Sequence, residues 1–139
     1  MKTNHKRMSG FTAFLALSFI FGCGGTELKP VDLFPEDECA LCRMAVSDHR
    51  FASEILIDDG SALKFDDLSC QKEYRDARGD GKTRAIFVKD YDSKEWIPFD
   101  KAVIVQTGMH TPMGSGLVAV KSSERAEQIE NQYPPRTSR

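Results

Sequence analysis

The side chains best equipped for chemistry are sulfur donors. Cys39 and Cys42 form a C-x-x-C unit with Met44 two residues further on. The two-residue spacer lets both sulfurs turn toward one ion, although zinc, redox exchange and softer metals all use this spacing. Met44 narrows the choice, because a thioether is a poor zinc ligand and a good one for Cu(I). A third thiol, Cys70, follows the acidic pair Asp66-Asp67, and a second sulfur-bearing segment runs Met109-His110-Thr111-Pro112-Met113-Gly114. Most methionines simply fill gaps in a core, and composition alone gives Met113 that role. Two methionines flanking a histidine in a glycine-rich loop nevertheless make odd core material. His49, between Asp48 and Arg50, reads as a surface polar group or a ligand, and His110 as a ligand or a solvated loop residue.

These residues need elements to hold them. Residues 50–57 alternate, with Phe51, Ser53, Ile55 and Ile57 on one side, and Asp58-Asp59-Gly60 follows as a hairpin signal. Residues 61–65 form the returning strand. Asp66 and Asp67 then offer an N-cap for a helix over 68–77, with Cys70, Tyr74 and Ala77 sharing a face. After the Arg78-Gly79-Asp80-Gly81 break, the apolar run 85–88 within 84–89 predicts a strand covered on both faces. Residues 95–99 give a short strand that Pro98 places at an edge. Strands are expected at 103–106 and 117–120, separated by the methionine-bearing loop. Residues 122–133 read as a helix with Ala126, Ile129 and Tyr133 on one face, stopped by Pro134 and Pro135. Strands followed by a helix occur twice, which predicts a single α+β domain with weak internal duplication.

The N-terminus reads as an address. Lys2, Lys6 and Arg7 precede an uncharged run over 9–22, too short to span a bilayer and matched to a signal-peptide core. It ends Ile20-Phe21-Gly22-Cys23, which resembles a bacterial lipobox whose cysteine is lipidated. The expected organisation is a lipoprotein signal peptide over 1–22, a lipidated N-terminus and linker over 23–36, and the domain over 37–139. Such a protein is tethered to the extracytoplasmic side of a membrane, in the periplasm or at the cell surface, on the outer membrane if the cell is Gram-negative. Residues 1–22 hold three basic side chains and no acid, leaving 16 of the 19 basic residues against all 21 acids. That balance excludes a nucleic-acid footprint. With Cys23 assigned to lipid, three thiols remain, an odd number that cannot be a complete disulfide framework.

Four short motifs now stand in order behind a lipobox. They are Cys39-x-x-Cys42-x-Met44; Phe65-Asp66-Asp67-Leu68-Ser69-Cys70; Ile86-Phe87-Val88-Lys89-Asp90-Tyr91; and Thr111-Pro112-Met113-Gly114 with Leu117-Val118-Ala119. The order resembles the NosL family, bacterial lipoproteins associated with nitrous-oxide reductase maturation, and the resemblance covers roughly residues 37–133. It implies a Cu(I) chaperone, not an enzyme, with thiolate and thioether ligands, delivering copper to the copper-sulfide centre of that reductase. It also implies two related ββα(β)-like halves, similar to the organomercurial-lyase-like fold. Arg43 stands where glycine is common in the family.

Carried onto this chain, the resemblance makes Cys42, Met44 and Met113 the expected core of a copper site, with Cys39 competing and His49 or His110 completing the shell. The role of Cys70 stays open. The alternative is a structural Cys3His zinc site built from Cys39, Cys42, Cys70 and one histidine, in an exported interaction module. Thiol–disulfide exchange at Cys39 and Cys42 is a further reading, weakened because a strand signal follows where a redox pair wants a helix N-terminus. A lipoprotein that only scaffolds envelope proteins is another. A serine hydrolase is a weaker reading still, since no G-x-S-x-G element appears. Partners are therefore a copper-accepting enzyme or its assembly machinery, and a membrane through the lipid.

Overall fold

The computed structural model describes residues 28–136. The expected signal peptide over 1–22 and Cys23 lie outside the described residues. Six strands and two helices follow in the order β1 (Ser53–Ile57), β2 (Ala62–Phe65), α1 (Leu68–Arg78), β3 (Thr83–Lys89), β4 (Trp96–Pro98), β5 (Val103–Gln106), β6 (Leu117–Val120) and α2 (Ser123–Gln132). The first four strands form an antiparallel sheet in the order β2-β1-β3-β4, and β5 pairs with β6 in a separate antiparallel hairpin. The ββα unit is thus made twice, as β1-β2-α1 and as β5-β6-α2, which is the duplicated α+β plan read from the sequence.

Each helix starts where a polar side chain can satisfy its free N–H groups. Asp67 caps α1 by accepting from the Ser69 N–H at 2.8 Å, and Ser122 caps α2 by accepting from the Arg125 N–H at 3.2 Å. Gly79, in the left-handed region at φ 71°, stops α1. The inner face of the large sheet buries Ile55 and Phe65 with Cys39 and Cys70 under α1. The second half closes on Phe51, Val105, Met109, Val118, Val120, Ala126 and Ile129. Between the halves, Leu68, Val88 and Ala119 pack together, and the Tyr91 N–H donates to the Ala119 carbonyl at 2.9 Å.

Burial departs from the simple alternation in three places. On β1 the outward-facing Glu54 is fully buried, because residues ahead of the domain cross that face of the sheet. The Glu54 carboxylate accepts from the Val31 N–H at 3.0 and 3.2 Å and pairs with Lys64, whose ammonium also donates to the Val31 and Asp32 carbonyls. Residues 31–40 then round the β2 edge, where the Ala40 N–H donates to the Lys64 carbonyl at 2.8 Å, and reach the inner face at Cys39. On β3, by contrast, Arg84 is exposed and Ala85 and Ile86 are only half-buried, so its expected cover on both faces is incomplete. On α1 the apolar face ends at Tyr74, set edge-on to Phe65 at 5.4 Å, and Ala77 is exposed.

Candidate metal centre

A small hairpin presents the C-x-x-C unit. The Cys39 N–H donates to the Met44 carbonyl at 2.8 Å, the Val46 N–H to the Asp37 carbonyl at 2.9 Å, and the Arg43 N–H closes the turn on the Cys39 carbonyl at 3.0 Å. Arg43 must take φ 65°, the left-handed conformation that favours glycine, to bring Cys42 back over Cys39. Cys70 enters from the first turn of α1. Asp66 enters from the residue between β2 and the helix cap.

These four side chains converge. The sulfurs of Cys39, Cys42 and Cys70 and a carboxylate oxygen of Asp66 all lie within 4.8 Å of one another. Two sulfurs bound to one ion at about 2.3 Å lie no more than roughly 4.6 Å apart, so movements of a few tenths of an ångström would close the set around a single cation. Cys39, Cys70 and Asp66 are buried, and Cys42 is half-exposed above them. Asp66 is the informative member. It is 2% exposed, and its two oxygens accept only from the Cys42 thiol, at 3.5 and 3.6 Å, among the described residues. A buried carboxylate ordinarily has several strong donors or a cation. Here it has one weak donor, the Cys42 thiol, and two further sulfurs.

The thiols respond to that setting. Burial pushes the Cys42 thiol above its ordinary value, and the neighbouring Cys39 and Asp66 add to the rise, while the Met44 N–H opposes it. Burial pushes Cys70 up further, again helped by Cys39 and Asp66. At neutral pH both thiols hold their protons, and a thiophilic cation must displace them to bind.

The methionine-bearing loop is delivered to this cluster by Asp67. Its fully buried carboxylate accepts from the Thr111 hydroxyl at 2.7 Å, the Met113 N–H at 3.0 Å and the Ser115 hydroxyl at 2.6 Å, besides capping α1. Burial works against ionisation of Asp67, but the donors from Ser115, Thr111, Ser69 and Met113 outweigh it and hold the carboxyl below its usual range. Gly116 makes the loop possible: it takes φ 70°, and a Cβ there would lie 2.2 Å from the Thr107 carbonyl oxygen.

The positions of the residues singled out from the sequence are now plain. Cys39, Cys42 and Cys70 lie together. Met44 and His110 line one depression with Asp48, Thr111 and Asp66, the member of the cluster that this depression reaches. Met113 is 46% exposed and Met44 45%, so neither fills the core; Met109 does that, in the second half. His49 lies in the short 3-10 turn 49–51 and is not among the clustered donors. Asp66 and Asp67 were read from the sequence only as caps. The doubled acid was the available signal: a helix takes one N-cap, so the second carboxylate is free for another role.

A buried three-thiol, one-carboxylate cluster that could hold one metal ion, on a duplicated ββα frame, defines a small α+β protein with a candidate metal centre. The chain belongs to the NosL family, whose model matches residues 30–136. The crystal structure of the copper chaperone NosL from Shewanella denitrificans superposes with a TM-score of 0.70 at 16% identity, covering 78% of this chain and 90% of that one. This likeness shows the shared fold. No curated protein sequence matches the chain.

Proposed function

We propose that this protein is an extracytoplasmic lipoprotein, anchored through Cys23, that carries Cu(I) and hands it to a copper-accepting enzyme, with the nitrous-oxide reductase system as its client. The observation that carries the metal reading is the convergence of Cys39, Cys42, Cys70 and the poorly partnered Asp66, which also lines a depression with Met44 and His110. Three soft thiolates match Cu(I), and the thioethers extend that preference outward. The copper-chaperone fold neighbour and membership of the NosL family support the same reading.

The geometry suits a carrier rather than a catalyst. Cys39 and Cys70 form a protected floor, while Cys42, Met44 and Met113 are reachable from outside. An acceptor thiol or thioether can therefore take up coordination positions at the mouth while the floor still holds the ion. Ligand-by-ligand exchange avoids ever releasing free copper.

The test is an anaerobic titration of the reduced chain from Gly24 onward against a chromogenic Cu(I) chelator, with Zn(II) in parallel. Stoichiometric Cu(I) binding is expected, lost in Cys42→Ser and weakened about tenfold in Met44→Ala with Met113→Ala. The zinc alternative retains one structural argument, since three thiolates and a carboxylate also make a tetrahedral zinc set. Tight binding of Zn(II) alone, with unfolding on chelation, would replace the carrier by a structural site.

A further inference from the structure

The outer face of the large sheet, opposite the cysteines, carries a feature that metal transport does not use. Phe87, Trp96 and Pro98 line an open apolar groove of about 680 Å³ beside residues 28–30. Three exposed cations, Lys29, Arg84 and Lys101, stand around it with one acid, Asp100. The local excess of positive charge runs against the protein as a whole, whose chain beyond residue 22 carries 16 basic and 21 acidic residues. Lys89 lies 4.2 Å over the Trp96 ring and fixes the indole at the rim.

Chain length says what this groove faces. Leu28 and Lys29 line it, and Cys23 is only five residues before Leu28. Five extended residues span at most about 18 Å, so a lipid on Cys23 confines the groove to within that distance of the membrane surface. A positive, aromatic-rimmed face held so close to phospholipid headgroups is complementary to anionic ones.

We infer that this groove is a docking face for the anionic phospholipid surface to which the protein is tethered, with Lys29, Arg84 and Lys101 taking headgroup phosphates and Trp96 entering the interface. The inference rests on lipidation at Cys23. Its consequence is orientation: Cys39, Cys42, Cys70 and Asp66 sit on the α1 side of the sheet, so docking turns the metal cluster away from the bilayer and toward soluble partners.

Trp96 is the sole tryptophan of the chain, so its emission reports this face directly. Full-length protein from a bacterium that processes lipoproteins is reconstituted into phosphatidylethanolamine–phosphatidylglycerol vesicles, and the mass of the Cys23 peptide records the lipid. Lipids brominated near the glycerol backbone should quench Trp96 and blue-shift the remainder. Lys29→Glu with Arg84→Glu and Lys101→Glu should abolish the quenching, whereas Lys72→Glu on α1 should leave it intact. For the unlipidated chain, the same triple change, or raised salt on the wild type, should weaken partition at least about tenfold. Lipidated, vesicle-bound protein with unquenched Trp96 overturns the docking face while the anchor stands. If Cys23 carries no lipid, the anchor fails, and unlipidated protein on the same vesicles decides the face: no Trp96 quenching overturns it. A Trp96 shift that grows with protein concentration in the absence of lipid assigns the groove to a second copy of the chain and equally overturns the inference.

Discussion

The two ββα units follow one local plan and put it to different uses. In each, a hairpin is covered by a helix whose first turn is capped by a polar side chain, Asp67 for α1 and Ser122 for α2. Beneath α2 the space is filled by Val105, Val118, Val120, Ala126 and Ile129, a hydrocarbon core. Beneath the start of α1 it is shared with Cys39, Cys42, Cys70 and Asp66. The second unit therefore supplies rigidity and one loop, and the first gives up part of its core to polar and sulfur groups. What joins them is Asp67, a helix cap whose remaining lone pairs hold the loop of the other half.

The sharpest separation of the halves pairs one change in each. Cys42→Ser should reduce Cu(I) affinity by at least about two orders of magnitude, roughly 3 kcal/mol, while leaving the thermal midpoint of the metal-free protein nearly unmoved. Ile129→Ala, at a fully buried position, should cost about 3 kcal/mol of stability by urea denaturation and leave the affinity of the folded protein unchanged. If Ile129→Ala weakened copper binding as much as Cys42→Ser, the division of labour would be wrong. Titration in the wild type sharpens the same point. Because Cys42 and Cys70 hold their protons at neutral pH, apparent Cu(I) affinity should rise with pH, by up to about tenfold per unit for each proton displaced. The metal-free protein should respond oppositely. Thiols raised in the folded state stabilise it fully below their unfolded value near 8.5, and that contribution is lost as pH rises toward the folded values.

Asp67→Asn tests the link between the halves. The buried carboxylate accepts from Ser69, Thr111, Met113 and Ser115, and an amide offers one oxygen and turns an NH2 toward the other donors. A cost of about 2 kcal/mol is expected from the unsatisfied groups. The Asp67 carboxyl is held below its unfolded value, so its stabilisation is present above about pH 4 and disappears as pH falls through the lower folded value. Asn should therefore flatten the acid limb of stability as measured by urea midpoints. An unchanged acid limb would mean that the loop is held in place by packing alone.

Much of this frame was legible in the chain. Alternation placed β1, a continuous apolar run placed β3, helical spacing placed both helices, and the turn signals between them bounded the remaining strands. Burial on the outer sheet face was not legible: whether Glu54 is covered depends on residues 31 and 32 folding back over it, a pairing more than twenty residues distant. The C-x-x-C and Cys70 could be read as ligand types, yet their convergence depends on a chain that rounds the β2 edge. Asp66 was hidden by its neighbour, since either acid can serve as a cap and only the fold shows which one does. Met109 and Met113 could not be told apart in the sequence for a similar reason. Four residues apart in one loop, one turns into the α2 core and the other outward, a choice set by the Asp67 anchor rather than by either side chain.

The smallest expected effect separates the geometry of the first unit from its chemistry. Arg43 occupies the left-handed region at φ 65° while its side chain reaches only an exposed partner, Glu38, at 3.0 Å. A surface pair of that kind contributes little. A non-glycine residue at this φ costs on the order of 1 kcal/mol, partly offset in glycine by the greater freedom of the unfolded chain. Arg43→Gly should therefore raise stability by up to about 1 kcal/mol in urea denaturation of the metal-free protein. Cu(I) affinity should stay within about threefold, because glycine adopts this φ readily and the hairpin bonds around it are made by backbone groups alone. A loss of affinity with stability unchanged would show that the strained turn itself sets the Cys42 sulfur, and would move Arg43 from the scaffold into the site.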